Sequence, residues 1–435
     1  MDPSATGYAT FQSHNHKVVW TRSGVFLAYL RTCNEAYTAQ QWRLVRTRDG
    51  GRSFETVWEG VHATNPPVLE ADAAGNVYLV RVDFAEGSAY LYRFLASRGY
   101  RDPEITRIPQ GAAGKYCLCL DERRRRLYYF AHNGTFHVLA LDGRLLRTTT
   151  LLRDGPHGAL QYPLLALGPQ GALYAAWTTV QHGAYLYRSI QLMKSRDGGE
   201  TWETMAGKRI LLPAVADETG PTDPVTGPEE LGVHTWLASM IATRDHLHLH
   251  YLRQSDPPRH CVVRWNVTTG HRDPPGVCDL SGETLSPLSL DGFFCAPAGS
   301  SRSLAVLASR YGRLVCLRSD DAGATWRDHA VSAAAYGVYA LGGCRRATPD
   351  GWIIGAFTDT RGVATGDAAR VYFVRVRWDA PRRRGQPAAP GGLVSSSRAV
   401  CTTASVTDAP PSIRASSPTR SSGARAAMRT TVRSP

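Results

Sequence analysis

The sequence predicts an all-β protein: a single seven-bladed β-propeller of four-stranded antiparallel blades, followed by a disordered C-terminal tail. Three observations indicate this fold class. Apolar hairpins recur at intervals of about fifty residues, the chain almost lacks helical periodicity, and three matched turns occupy equivalent places. A unit of four short strands cannot bury both its faces alone, whereas radial packing buries each unit against its neighbours.

Seven apolar segments, each with a Gly or polar turn near its centre, predict the inner hairpins of the blades. They occupy residues 17–31, 68–82, 116–130, 162–177, 236–252, 293–308 and 339–357. Each hairpin is followed by a third apolar segment, such as QWRLVRT or AYLYRFL, and a weaker fourth segment closes each unit. The fourth and fifth hairpins are further apart because a Pro-, Gly- and acid-rich insert occupies residues 213–232. Together the units predict one propeller over residues 12–380.

Residues 381–435 differ in composition from everything that precedes them. They are rich in Pro, Ser and Arg and have few large apolar residues, so they cannot bury enough surface to offset the entropy of ordering. We expect this tail to be disordered. It holds nine arginines and one aspartate, and therefore supplies most of the net charge of +13. The remaining chain is only weakly basic, which argues against a nucleic-acid partner.

The composition also bears on location and partners. No apolar run approaches the ~18 residues that a membrane-spanning helix needs, and the first residues lack the basic and apolar parts of a secretion signal. We therefore expect no membrane association and a cytoplasmic protein, or a secreted one if the N-terminus is truncated. The nine cysteines lack metal-binding spacing and are expected to be reduced and buried. We predict no metal, no cofactor and a monomer.

Three segments share a turn pattern of Ser or Thr, Asp, Gly, Ser or Thr, and an aromatic residue. They occupy residues 47–54, 195–202 and 319–326, and each follows the third strand of its unit. The carboxylates of Asp49, Asp197 and Asp321 can accept backbone N–H bonds across the turn, and the glycine tolerates positive φ. The aromatic residue can anchor the turn between sheets. We expect the three aspartates to be structural.

These motifs resemble the Asp-box (BNR) repeats of the sialidase superfamily, and the resemblance covers the propeller but not the tail. It implies a propeller whose Asp-boxes are structural and lie away from the active face. The superfamily includes sialidases, other glycosidases, polysaccharide lyases and non-enzymatic binders. The resemblance therefore implies a carbohydrate-active protein, and it leaves the reaction open.

The face opposite the Asp-boxes carries the entries into each first strand and the connections between second and third strands. Propeller ligands usually bind over the channel on that face. Basic and imidazole side chains recur at these places, and the candidate substrate-binding residues are Lys115, His132, His182, His234, Arg310 and Arg361. Such a rim favours an anionic ligand, so we predict an acidic oligosaccharide or polysaccharide as the partner.

His14 and His16 precede the first blade and share one side of an extended chain. An early histidine is similar to the seven-bladed rhamnose–glucuronate lyases, in which a His/Tyr pair transfers protons while basic groups neutralise the uronate carboxylate. This weaker resemblance implies that His14 or His16 acts with Tyr162 as the catalytic proton-transfer pair. The predicted function is cleavage of an acidic glycan by a lyase or a non-sialidase glycosidase.

Two alternatives to this predicted function stay open. An exo-sialidase needs three arginines around the sialate carboxylate and a tyrosine activated by a glutamate; Arg253, Arg310 and Arg361 are the candidates by loop position. However, the only Arg-Ile-Pro sequence lies at residues 107–109, at the end of the second unit rather than before the first blade. The other alternative is a non-catalytic propeller that binds glycans or proteins.

Overall fold

Seven antiparallel sheets follow one another along the chain in the computed structural model, and we number them blades 1 to 7 in chain order. They confirm the predicted seven-bladed all-β propeller. The described residues are 5–12, 16–31, 40–255, 258–273, 276–278, 292–310, 312–361, 369–379, 397–402 and 406–407. Within this part of the chain, no helix is long and apolar enough to cross a membrane.

The first four blades contain these strands. Blade 1 comprises Val18–Thr21, Gly24–Arg31, Gln40–Thr47 and Phe54–Ala63. Blade 2 comprises Val68–Ala71, Val77–Asp83, Ser88–Phe94 and Glu104–Pro109. Blade 3 comprises Tyr116–Asp121, Arg126–Ala131, Thr135–Ala140 and Leu145–Thr150. Blade 4 comprises Gly158–Leu167, Leu173–Gln181, Tyr187–Ser195 and Trp202–Glu203.

The last three blades follow the same plan. Blade 5 comprises Thr235–Ala242, His246–Arg253, Arg259–Asn266 and Gly276–Cys278. Blade 6 comprises Phe293–Cys295, Leu304–Arg310, Arg313–Ser319 and Arg327–Ser332. Blade 7 comprises Val338–Gly343, Trp352–Asp359, Arg370–Arg377 and Ser397–Thr402.

Short additional strands and turns lie around blade 4, within blade 2 and between blades. The strand pairs are Leu152–Arg153 with Ala214–Val215, Arg209–Ile210 with Trp202–Glu203, and Asp223–Pro224 with the third strand of blade 4. Single 3-10 turns occupy Ala96–Arg98 and Pro228–Glu230. The insert predicted at residues 213–232 therefore packs on blade 4 and adds no blade of its own.

Two short segments of the region expected to be disordered form strands. Ser397–Thr402 pairs with the third strand of blade 7 and with the fourth strand of blade 6, and Val406–Thr407 lies beside Phe54 and Glu55 of blade 1. The third strand of blade 7 would otherwise present an unpaired edge, which readily accepts another strand. The rest of the predicted disordered tail lies outside the described residues.

The first strands of successive blades contact one another, and that of blade 7 contacts that of blade 1, which closes a ring around a central channel. Each of the seven interfaces between neighbouring blades has its own cluster of buried apolar side chains. Strand residues alternate between the two faces of a blade, so one blade contributes to two clusters. The core is therefore a ring of seven interfaces.

The N-terminal segment, residues 5–12, joins blades 7 and 1. The Ala369 N–H donates to the Ala5 carbonyl at 2.6 Å, and the Leu30 N–H donates to the Ala9 carbonyl at 3.0 Å. The hydroxyls of Thr10 and Thr358 lie 2.7 Å apart in a buried hydrogen bond. The ordered structure therefore includes residues that the sequence leaves outside the propeller.

The turns that contain Asp49, Asp197 and Asp321 have matching hydrogen bonds. In each, the carboxylate accepts bonds from the side chain two residues before it and from the backbone and side chain four residues after it. We call them the Asp turns. They connect third and fourth strands, on the same face as the turns between first and second strands, because antiparallel neighbours reverse direction. We call this the Asp-turn face and the opposite one the entry face.

Candidate functional site

Blades 3, 4 and 5 bring charged, imidazole and aromatic side chains together on the entry face. We call this group the entry-face cluster, and its members are Lys115, His132, Tyr162, Tyr185, Tyr187, His234 and Trp236. Four of them, Lys115, His132, Tyr162 and His234, are residues that the sequence nominates. Because they come from five different strands or strand entries, the ring of blades is what assembles them.

Tyr162 is at the centre of the cluster. It lies at a bulge in the first strand of blade 4, where the pairing register shifts between Gln161 and Leu164, and its φ is +45°. A residue with a side chain rarely adopts positive φ, and such strain recurs at functional sites. The Tyr162 hydroxyl oxygen lies 3.3 Å from that of Tyr187, and the Lys115 Nζ lies 5.3 Å from the Tyr162 ring centroid. The bulge thus holds a phenol between a second phenol and a cation.

Burial affects the protonation of both Tyr162 and Lys115. It raises the pKa of Tyr162 to about 12, which keeps the phenol protonated at neutral pH. It lowers the pKa of Lys115 from its usual value. A cation over the ring face is attracted by the π-electrons, which offsets part of its loss of hydration. The arrangement can therefore present a proton donor and a positive charge at one place.

The two histidines of the cluster have matching hydrogen bonds. The His132 Nδ1 accepts the backbone N–H of Lys115 at 3.2 Å, and the His234 Nδ1 accepts that of Tyr187 at 3.2 Å. An accepting Nδ1 places the ring proton on Nε2. Burial, and then the charge of Lys115, lower the pKa of His132 to about 4, and burial also lowers the pKa of His234. Both rings are therefore neutral near pH 7, with Nε2–H as the donor.

Aromatic side chains form one wall of the cluster. Tyr185 is 61% exposed, and its ring centroid lies 5.4 Å from that of Tyr187 and 5.6 Å from that of His234. Trp236 packs against Tyr187 from blade 5, and Phe11 of the N-terminal segment packs against the same group. An exposed aromatic ring beside hydrogen-bond donors suits a sugar, which has apolar faces and polar edges.

Sequence reasoning missed these aromatic residues. The signal that could have found Tyr185 and Tyr187 is their spacing: they alternate with Leu186 in AYLYRSI and so point to one side of the strand. Trp236 and Phe11 carry no comparable signal, because their place beside Tyr187 depends on how blades 4 and 5 and the N-terminal segment pack.

The remaining nominated substrate-binding residues have no hydrogen bond or ring contact with the cluster among the described residues. The His182 Nε2 is bonded to the Gly155 carbonyl at 2.9 Å. Arg310 pairs with Asp328 at 2.5 Å. Arg361 forms a two-point ion pair with Asp359, at 2.8 and 3.1 Å, and lies over the Tyr336 ring. A nearby carboxylate thus pairs with each of the two arginines, and their role in binding a substrate stays a prediction.

The two nominated catalytic histidines have different outcomes. His14 lies outside the described residues and stays a prediction. His16 lies in the channel, where its Nδ1 is 3.2 Å from Glu70 Oε1. Its backbone carbonyl accepts the Leu69 N–H at 2.7 Å, which ties it between blades 1 and 2. His16 also lines a cavity that opens on the Asp-turn face, to which Tyr162 does not contribute. The described contacts thus pair His16 with Glu70 rather than with Tyr162.

The sialidase constellation finds little support in the described residues. Its three candidate arginines each face a carboxylate, with Arg253 lying 3.7 Å from Glu230. Glu230 also accepts the Tyr251 hydroxyl at 3.1 and 3.3 Å, as a glutamate that activates a tyrosine would. However, Tyr251 and Glu230 are only 2% and 4% exposed. Tyr251 packs within the apolar cluster between blades 4 and 5.

One group of three potential metal ligands exists among the described residues. His157, Asp217 and Glu218 place ligand atoms within 4.8 Å of one another. The Arg188 guanidinium lies 2.8 Å from Glu218 Oε1, and the Asp217 carboxylate already accepts backbone N–H bonds. A fixed positive charge inside the group opposes the binding of a metal cation.

Comparisons with known proteins show the fold. No protein-family model and no curated protein matches this chain. Among solved structures it is similar to a PL25 polysaccharide lyase, an ulvan lyase bound to GlcA(1-4)Rha3S, with a TM-score of 0.56 and 12% identity over 85% of this chain and 94% of that one. It is also similar to the polysaccharide lyase Uly1, with a TM-score of 0.58 and 10% identity over 84% of this chain and 90% of that one. At such identities the similarity establishes a shared propeller fold.

Proposed function

We propose that this protein is a carbohydrate-active lyase that cleaves an acidic glycan at the entry-face cluster. The observation that carries the proposal is the meeting of Lys115, a protonated Tyr162 and two neutral histidine donors on one face. The two similar structures support it, because both are polysaccharide lyases and one binds a GlcA-containing ligand.

The reaction is a β-elimination on a uronate. The proton at C5 leaves, its electron pair forms the C4–C5 double bond, and the bond from C4 to the glycosidic oxygen breaks. The Lys115 ammonium neutralises the uronate carboxylate and so stabilises the charge that develops at C5. The Tyr162 phenol donates its proton to the leaving oxygen. The Nε2–H groups of His132 and His234 bind the carboxylate or ring hydroxyls, and His14 stays the predicted base.

The Asp turns support a finer relationship. We propose that they are Asp-boxes of the kind found in the sialidase superfamily, because three turns with one residue pattern share one set of hydrogen bonds and one face of the propeller. In this proposal Asp49, Asp197 and Asp321 stabilise the turns and take no part in the reaction.

The test is an assay on a panel of uronate-containing polysaccharides. Elimination produces a double bond conjugated to a carboxylate, which absorbs in the ultraviolet, together with one new reducing end per cut. On an accepted substrate, Tyr162→Phe should lower turnover by about 10²–10⁴-fold, because it removes the proton donor. Tyr174→Phe is the control: it removes another buried hydroxyl of blade 4, within the apolar cluster between blades 4 and 5, and should leave turnover unchanged.

The other outcomes separate the alternatives. Full turnover of Tyr162→Phe would contradict the proposed site. Release of sialic acid without new absorbance would instead support a sialidase. Glycan binding that needs Lys115 and Tyr185, with no product from any substrate, would support a non-catalytic binding propeller.

A further inference from the structure

The central channel opens on the Asp-turn face into a cavity of about 870 Å³, to which all seven blades contribute. A cavity of this size accommodates a small organic ligand. It is distinct from the entry-face cluster, since none of the cluster's seven residues lines it. Its ionisable lining residues include His16, Glu70, Arg244, Arg345 and Arg346.

The cavity wall carries excess positive charge. Two further acidic residues of the lining, Asp72 and Glu122, are occupied by hydrogen bonds to their neighbours. By contrast, Arg244, Arg345 and Arg346 have no carboxylate within ion-pair distance among the described residues. Three guanidinium groups around one concave surface attract an anion.

His16 and Glu70 form a pair at this wall. They are 12% and 15% exposed, and the Glu70 carboxylate accepts the Nδ1–H of His16 at 3.2 Å. The His16 Nε2 is buried and has no hydrogen-bond partner among the described residues. Since Glu70 holds the proton on Nδ1, Nε2 of the neutral ring can only accept. A ligand carboxylate could be bonded there only if the ring gained a second proton.

The surrounding charges set the protonation of His16. Burial, followed by the charge of Arg345, lowers its pKa, while Glu70 acts in the opposite direction and Lys17 adds a smaller lowering. The thiols of Cys117, Cys119 and Cys344 stay neutral, because burial raises the pKa of each. A bound anion would offset the charge of Arg345 and so favour the protonated ring.

We propose that this channel cavity is a second ligand site, which binds a small organic carboxylate through Arg345, Arg346 and His16 and takes up one proton at His16 as it binds. The imidazolium then donates Nδ1–H to Glu70 and Nε2–H to the ligand. The proposal does not depend on the lyase reaction, because it concerns the opposite face of the propeller.

Titration calorimetry with citrate and with glucuronate as probes, and with glucose as the neutral control, tests the site. At least one carboxylate should bind with one ligand per chain, while glucose should not. Arg345→Ala should weaken binding about tenfold or more, because it removes a charge-assisted contact. Arg302→Ala is the matched control, since Arg302 follows the first strand of blade 6 on the same face but does not line the cavity; it should leave the affinity unchanged.

The proton linkage provides a second readout. Affinity should rise as the pH falls from about 8 to about 6, and buffers of different ionisation heat should reveal uptake of a proton. His16→Gln keeps a polar group near the position of Nε2 but cannot titrate, so binding should persist without this pH dependence. Thermal unfolding of each variant establishes that it is folded.

The proposal is overturned if neither carboxylate binds, if folded Arg345→Ala binds as tightly as the unaltered protein, or if glucose binds equally well. Lys115→Ala separates the two sites. Binding that Lys115→Ala abolishes and Arg345→Ala preserves belongs to the entry face and would also overturn the proposal. Binding that survives Lys115→Ala and is weakened by Arg345→Ala supports it, whatever the fate of the lyase assay.

Discussion

Asp321 shows how one side chain can stabilise a turn through several hydrogen bonds of its own. Slight burial opposes ionisation, but bonds from the side chain and backbone of Thr325 lower the pKa of the Asp321 carboxyl to about 2. The same kinds of bond lower the pKa of Asp197 and of Asp49. Because the unfolded carboxyl has a pKa of about 3.9, this stability is present above that pH and is lost as the pH falls further.

We predict that Asp321→Ala lowers the free energy of unfolding by about 1–2 kcal/mol, as the loss of a side-chain cap does. Chemical denaturation at neutral pH measures the change. The adjacent Asp320 is the control: it is 43% exposed and forms ion pairs with Arg318 and Arg327, so Asp320→Ala should cost only about 0–1 kcal/mol. If both variants lowered the free energy of unfolding equally, the proposed role of Asp321 in stabilising the turn would be contradicted.

The residues of the candidate site differ in how far the sequence predicts them. Lys115, His132, Tyr162 and His234 follow from position in the repeat, since the sequence places each at the start of a predicted first strand or after a second strand. Position in the repeat does not reveal which side chains a residue contacts. Arg310 and Arg361 occupy equivalent places but form ion pairs with Asp328 and Asp359. His16 is likewise drawn into the channel by the pairing of its backbone with Leu69.

At the scale of elements, the N-terminal segment closes the ring. Its contacts reach Thr358 and Tyr339, more than 300 residues away along the chain. Repeat patterns identify blades, because each blade has the same local alternation of apolar residues. They do not identify the N-terminal segment, because its sequence is not part of the repeat and its structure depends on contacts with blades 7 and 1.

We predict that Thr10→Val lowers the free energy of unfolding by about 1–2 kcal/mol, because it leaves the buried Tyr339 carbonyl without the Thr10 hydroxyl. Thermal or chemical unfolding measures the loss. Thr150→Val is the control. It makes the same substitution at an exposed hydroxyl on the outermost strand of blade 3, and should change stability by less than ~0.5 kcal/mol. A stability of Thr10→Val equal to that of the unaltered protein would show that the segment does not contribute to closure.

At the scale of the whole molecule, buried histidines couple stability to pH. His248, His250 and His260 lie at the interface between blades 5 and 6, where His250 and His260 are hydrogen-bonded at 2.8 Å and His248 packs against Phe294. Burial lowers the pKa of all three, to about 3 for His248 and about 4 for His260. The folded protein therefore holds these rings neutral.

We predict that the protein loses stability as the pH falls from about 6.5 to about 4. In this window the unfolded chain binds protons at these histidines and the folded chain does not. Each histidine therefore lowers the free energy of unfolding by up to about 1.4 kcal/mol per pH unit as the pH falls. Unfolding free energies over a pH series measure the slope. His248→Gln should reduce it, whereas His271→Gln, at an exposed histidine, should not. A slope that His248→Gln leaves unchanged would contradict the assignment.

The sequence by itself determines the number of blades, the order of their strands and the three Asp turns, because these depend on local alternation and on turn residues that recur along the chain. Only the tertiary structure decides which side chains meet. The entry-face cluster contains residues of three blades, and residues of all seven blades line the channel cavity. These residues are close in space because the blades pack into a ring, and no local sequence pattern predicts that proximity. The bulge at Tyr162 and the pairing of His16 with Glu70 arise in the same way, from packing between strands far apart in sequence.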